Sequence, residues 1–216
     1  MRNHFDRLLE ELNHELIEMG ALCEELILIT GEALVGQSGD VLKRTAPFAE
    51  SIDQKERSIE AMCLKLLLQQ QPVAKDLREI SSALKMITDL KRIGDHAQDI
   101  AEIISYLEGR TSPVSGLIHS MARASKKMVT DSIDAFVKGD LLLAEKVIAA
   151  DDVVDSYFSK VNRALIELIT ENPQDGEYAL DLLMIAKYYE RIGDHAVNVA
   201  NWVVFSVTGV HGEGSI

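Results

Sequence analysis

The sequence predicts an all-α fold made of two tandem copies of a three-helix unit, and three observations predict it. Leu, Ala, Ile, Glu and Lys fill long stretches without proline, aromatics are only 5% of the 216 residues, and strand-favouring residues are scattered rather than alternating. The segment Arg92-Ile93-Gly94-Asp95-His96-Ala97 returns 99 positions later as Arg191-Ile192-Gly193-Asp194-His195-Ala196, the mark of a duplication. Apolar residues recur at steps of three and four, which is the seam of a helix packed in a bundle.

Each element follows from local signals. The first helix runs to the turn Gly36-Gln37-Ser38-Gly39-Asp40, where Asp40 is placed to cap the second. Gln71-Pro72 puts a proline in the first turn of the third helix, where its missing N–H costs nothing. That helix carries the seam Met86, Leu90, Ile93, Ala97, Ile100 and Ile104. Glu108–Pro113 closes the unit, with Ser112 as cap and Pro113 at the first position of the fourth helix, dividing the chain into 1–110 and 111–216. Lys138-Gly139-Asp140 and Glu171–Gly176 separate the remaining helices. The fifth has Val147, Ala150, Val154, Tyr157, Val161, Ala164 and Leu168 along one side, and the sixth repeats the third as Ile185, Tyr189, Ile192, Ala196, Val199 and Val203. Six helices of roughly 25–35 residues result, long for a globular protein and suited to short antiparallel connections. Gly94 and Gly193 each cost about 1 kcal/mol inside a helix, so their expected use is close approach of a neighbouring helix.

Charge excludes whole classes of function. Asp and Glu number 35 against 22 Lys and Arg, a net charge of -13. Such a surface repels nucleic-acid phosphates and anionic lipid headgroups, and favours cations or basic protein patches. No Gly-rich phosphate loop is present. Cys23 and Cys63 stand in apolar helical contexts without a Cys-x-x-Cys pair, as expected of buried thiols in a reducing compartment. With no apolar signal core and no run approaching the ~20 apolar residues of a membrane span, the expected location is the cytoplasm, without membrane insertion.

The residues able to carry chemistry are carboxylates at helical spacing. Glu190, Asp194 and Asn198 form one stripe on the sixth helix, Asp151 and Asp155 one on the fifth, and Asp131 and Asp134 one on the fourth. In the first unit the counterparts are Asp95 and Asp99 on the third helix, Asp53 and Glu56 on the second, and Glu24 on the first. Like charges four residues apart destabilise a helix, and partners at the favourable i+4 position are missing: Asp151 meets Asp155, Glu190 meets Asp194, and Asp155 meets Ser159. Water or a cation must screen such a cluster. Hard oxygen ligands without Cys point to magnesium, manganese, calcium or iron rather than a closed zinc site. Asp194 faces away from the apolar seam, however, and an outward acidic stripe is more often a solvated face, so spacing leaves both readings open. His96 and His195 lie about 100° off the stripe and read as surface or packing histidines.

The segment Glu190-Arg191-Ile192-Gly193-Asp194-His195-Ala196-Val197-Asn198 resembles the signature of the PhoU family, Gln69–Arg78 is similar to its first-repeat turn, and Asp131–Phe136 resembles the opening helix of its second repeat. The resemblance spans nearly the whole chain. It implies two three-helix bundles related by a pseudo-twofold, no enzymatic turnover, and negative regulation of phosphate uptake and the phosphate-starvation regulon. The implied partners are the ATPase subunit of a Pst-type ABC phosphate importer and a PhoR-type histidine kinase, with a homodimer left open. It also implies multinuclear metal, iron or zinc with magnesium or manganese as alternatives, on surface carboxylates. The matching positions are Asp131, Asp151, Asp155, Glu190, Asp194 and Asn198 in the second unit and Glu24, Asp53, Glu56, Asp95 and Asp99 in the first.

One departure separates the units: Lys91 stands where the second has Glu190. A lysine four residues before Asp95 forms a helical ion pair, and its ammonium takes a cation's place, so the second-unit site is expected to be the better one. Two rivals remain. A passive acidic scaffold would need no metal and would keep its partners under chelation. A di-iron carboxylate enzyme needs Glu-x-x-His on two helices, and only Glu11-Leu12-Asn13-His14 fits.

Overall fold

The computed structural model describes residues 2–36, 40–69 and 73–210. It is all-helical: α1 (Arg2–Ala33), α2 (Val41–Gln69), α3 (Ala74–Tyr106), α4 (Pro113–Lys138), α5 (Leu141–Glu171) and α6 (Gly176–Thr208), with one 3-10 turn at Pro173–Asp175. Three helices precede the link at 107–112 and three follow it, the tandem arrangement the repeat predicts. The turn at Gln37, Ser38 and Gly39 and the expected placement of Pro72 lie outside the described residues.

Local chemistry sets the ends. Asp40 accepts the Lys43 N–H at 3.2 Å and Asp140 the Leu143 N–H at 3.0 Å, satisfying amides that have no partner inside their helices. Gly139 closes α4 at φ 62°, a left-handed turn that glycine adopts without strain. The link differs from expectation in one detail. Ser112 holds the cap position and Pro113 the first helical one, but the cap's N–H donates to the Ser115 hydroxyl at 3.2 Å, while the Ser112 hydroxyl has no hydrogen bond.

Packing arranges the helices in two layers. Among the described residues α2 packs only on α1 and α3, and α5 only on α4, α6 and the 3-10 turn. The order α2, α3, α6, α5 therefore makes one layer, and α1 and α4 lie side by side across it. The six seam residues of α3 and the six of α6 are all buried, and Leu12, Leu16, Met19 and Val161 join them in one continuous core. Both units thus share a core rather than closing separately.

The pseudo-twofold is visible in hydrogen bonds as well as shape. The Cys23 thiol donates to the Leu90 carbonyl at 3.3 Å, and the Ser125 hydroxyl donates to the Tyr189 carbonyl, 99 residues after Leu90, at 3.1 Å. Both groups are fully buried. Burial pushes the Cys23 thiol up to about 12, so it remains an inert packing group, as does Cys63, also raised to about 12 by burial. Tyr189 spans the layers by donating its hydroxyl to Thr30 Oγ1 at 2.9 Å.

Candidate functional site

Helix periodicity brings the carboxylates of α5 and α6 to the lips of one groove. Gly193 is buried on α6, and a Cβ there would stand 3.3 Å from Asp151 Oδ1 and 3.5 Å from Val154 Cγ1. The expected close approach is therefore real, and what approaches is a carboxylate. Asp151 Oδ1 is buried and has no hydrogen bond. Burial, and then the charges of Asp155, Asp194 and Glu190, push its carboxyl up to about 6. Asp194, exposed on the outer face as its spacing predicts, is also raised, by burial and then by Glu190, with Lys187 pulling the other way. Crowded like charges next to an unpartnered buried oxygen are what a bound cation relieves.

The absence of neighbouring cations was overstated by spacing alone. Lys187, three residues before Glu190, brings Nζ to 2.5 Å from Glu190 Oε2 and lies over the Phe158 ring at 5.6 Å. A lysine three residues before Glu190 is legible in the sequence, although the favourable spacing for a helical ion pair is i+4.

The first unit uses the same frame differently. Lys91 Nζ bridges Asp53 Oδ1 at 3.0 Å and the Asp95 carboxylate. Burial alone would lower this ammonium, but its hydrogen bonds to Asp95 and Asp53 outweigh that and raise it. A second departure escaped the sequence reading. Opposite Gly94, where the other unit has Asp151, stands Ile52, whose Cδ1 would be 2.9 Å from a Cβ on the glycine. Ile52 precedes Asp151 by the same 99 positions and is 1% exposed. The first groove has an apolar residue and a lysine where the second has two carboxylates.

Several expected ligands are placed elsewhere. Glu24 lies on α1 with Oε2 2.7 Å from Lys126 Nζ on α4, so it bridges those helices rather than lining the α2–α3 groove. Asp131 and Asp134 accept from Lys127 and Lys138 on their own helix, each at 2.6 Å. Asn198 donates to Asp89 Oδ1 at 3.1 Å, and His195 Nδ1 is 2.9 Å from the same oxygen, which ties Asn198 to the α3–α6 contact. His96 stacks on His195 with ring centroids 5.4 Å apart, and its Nδ1 is 3.7 Å from Asp99 Oδ2. Asp89 is a polar anchor the sequence reading missed, since its repeat counterpart is Tyr188. Glu56 has no ion pair among the described residues.

As the side chains stand, no three His, Cys, Asp or Glu among the described residues are arranged to hold a metal ion. Ligation in the second groove therefore requires Asp151, Asp155, Glu190 and Asp194 to turn toward one another. The orphaned Asp151 oxygen fits that requirement; the first groove, occupied by Lys91 and Ile52, does not. The di-iron pattern has no support: His14 is exposed on α1 and 3.0 Å from Glu18. No described helix is long and apolar enough to cross a membrane.

The fold and groove define a duplicated six-helix protein with an acidic outer face. The chain belongs to the PhoU family: the PhoU domain model matches residues 16–104 and again 118–203. It is 36% identical over 210 residues to the phosphate-specific transport system accessory protein PhoU homolog of Clostridium acetobutylicum, covering 96% of each chain. The homolog of the same name from Aquifex aeolicus is 37% identical over 185 residues, 85% of this chain and 83% of that one. The crystal structure of PhoU from Pseudomonas aeruginosa superposes with a TM-score of 0.89 at 32% identity, over 95% of this chain and 100% of that one. The phosphate transport system regulatory protein PhoU from Streptococcus pneumoniae gives 0.86 at 26%, over 97% and 99%.

Proposed function

We propose that this chain is a cytoplasmic negative regulator of phosphate uptake and of the phosphate-starvation regulon, acting through protein contacts and without turnover. It reads the state of a Pst-type importer at the ATPase subunit and passes it to a PhoR-type histidine kinase. The observation that carries this is the family match over both units, with relatives named as accessory and regulatory proteins of phosphate transport. The acidic surface, poor for nucleic acid or lipid, agrees with a role in protein contacts. Deleting the gene and assaying phosphatase expression in high phosphate tests it. Repression that persists without the protein would falsify the reading.

The proposal includes one metal site. Asp151, Asp155, Glu190 and Asp194 would hold iron or zinc, with magnesium or manganese as alternatives. The metal would supply positive charge that neutralises the groove and cross-links α5 to α6. Asp151 contributes the otherwise unpartnered oxygen, and Gly193 leaves it room. The first groove keeps Lys91 as its own cation. Metal content of Asp155→Ala with Glu190→Ala, measured against wild type, tests this part, and an unchanged metal-to-protein ratio sinks it.

A further inference from the structure

The outer layer carries an apolar patch that the fold does not require. Leu180 and Met184, one turn apart on α6, are 60% and 45% exposed, and Ile166 on α5 is 65% exposed. The contacts of Asp151 with Gly193 and of Phe158 with Lys187 set an antiparallel register for α5 and α6, and the same register brings Ile166 level with Leu180. On the other flank, Arg110 lies over Tyr178 at 4.0 Å and His96 stacks on Tyr188. This brings Tyr106 of α3, 79% exposed, level with Asp181. Four large apolar side chains from three helices thus share one end of the layer, more than scattered surface residues explain.

The pseudo-twofold supplies an internal control. Ninety-nine positions before Leu180 and Met184 stand Ser81 and Lys85. The equivalent helix α3 forms with polar residues at these two positions, so core packing does not account for the apolar pair.

Charge identifies the occupant. Glu177 and Asp181 stand beside Leu180 on α6, Glu167 and Glu171 stand on the same end of α5, and none of the four is ion-paired among the described residues. Burial and the Glu177 charge raise the Asp181 carboxyl. Further along α6, Glu190 is paired with Lys187, and Asp194 adds an exposed carboxylate. A second copy would set acid against acid, and an anionic lipid surface would be repelled in the same way.

We infer that Tyr106, Ile166, Leu180 and Met184 form a docking surface for a basic amphipathic helix of a partner protein. Its apolar stripe would lie on these side chains and its Lys and Arg against the neighbouring carboxylates. This rests on the reading of the chain as a regulator working through protein contacts, and it names the surface and the chemistry of the partner.

The probe is a fluorescein-labelled helical peptide of about 18 residues with a Leu stripe flanked by Lys, beside a twin carrying Glu for every Lys. Anisotropy with the full chain should show saturable binding of the Lys peptide and none of the Glu twin. Leu180→Ser with Met184→Ser should weaken binding by about tenfold or more, and Glu177→Gln with Asp181→Asn should flatten its salt dependence. Leu64→Ser, at the opposite end of the layer, should leave it unchanged, and all variants should keep the wild-type melting curve. Absence of binding, equal binding of both peptides, or indifference to Leu180 and Met184 overturns the inference. So does a wild-type dimer, or attachment to phosphatidylglycerol vesicles, that the Leu180 and Met184 substitutions abolish. In cells, a deletion strain carrying the double variant should lose repression. Repression kept by the variant but lost in the deletion strain removes the docking surface and spares the regulatory reading. Repression kept in both removes the regulatory reading, and the peptide result still decides the surface.

Discussion

Asp151 rests its carboxylate against the bare backbone of Gly193, Oδ1 lying 3.3 Å from where a side chain would begin. The equivalent glycine of the first unit, Gly94, receives Ile52 instead. One backbone device, used twice, admits a carboxylate in one groove and a core residue in the other.

Alanine at the two glycines should therefore behave differently. Each substitution gains about 1 kcal/mol of helix propensity. At Gly94 the new methyl strikes Ile52, fully packed and unable to retreat, and overpacking costs about 1–3 kcal/mol. Gly94→Ala should lower stability by about 1 kcal/mol in denaturant titrations. At Gly193 the half-buried Asp151 side chain can turn aside. Gly193→Ala should match or exceed wild-type stability while weakening manganese binding in calorimetry.

Asp151→Asn removes a crowded charge that burial opposes. Without metal at neutral pH, the variant should melt above wild type by about 2 °C. Added manganese should raise the wild-type Tm and leave the variant's nearly still. Equal metal-induced shifts in both would remove Asp151 from the proposed site.

Lys91→Ala leaves Asp53 and Asp95 facing each other without their shared ammonium. The partly exposed bridge is worth about 1 kcal/mol, and the variant should melt lower by a corresponding few degrees. High salt should shrink the difference by screening the freed carboxylates.

Glu79 provides a pH signature away from the groove. Burial raises its carboxyl above the usual range, with Asn13 and Lys75 pulling it down and Asp76 pushing it up. A raised folded-state value means that the folded protein holds the proton where the unfolded chain releases it. The stabilisation is complete below the unfolded value and is lost as pH rises through the folded one. Glu79→Gln should match wild type near pH 4 and melt higher at pH 7, and a difference that is constant across pH contradicts this assignment.

The sequence by itself determined the six helices, the breaks at 107–112, 139–140 and 172–175, and the duplication, because caps, breakers and three-four spacing act within one or two turns of the chain. It also placed Asp194 on the outer face and marked Lys91 as the odd residue of its pair, since both follow from position on a single helix. Only the tertiary structure decided which helix each face would meet. Core packing sets the register and rotation between helices, and no local spacing encodes them. For that reason Glu24 and Lys126, 102 positions apart, could not be paired in advance. Asn198 could not be assigned to Asp89, and Ile52 could not be recognised as the residue occupying the place of Asp151.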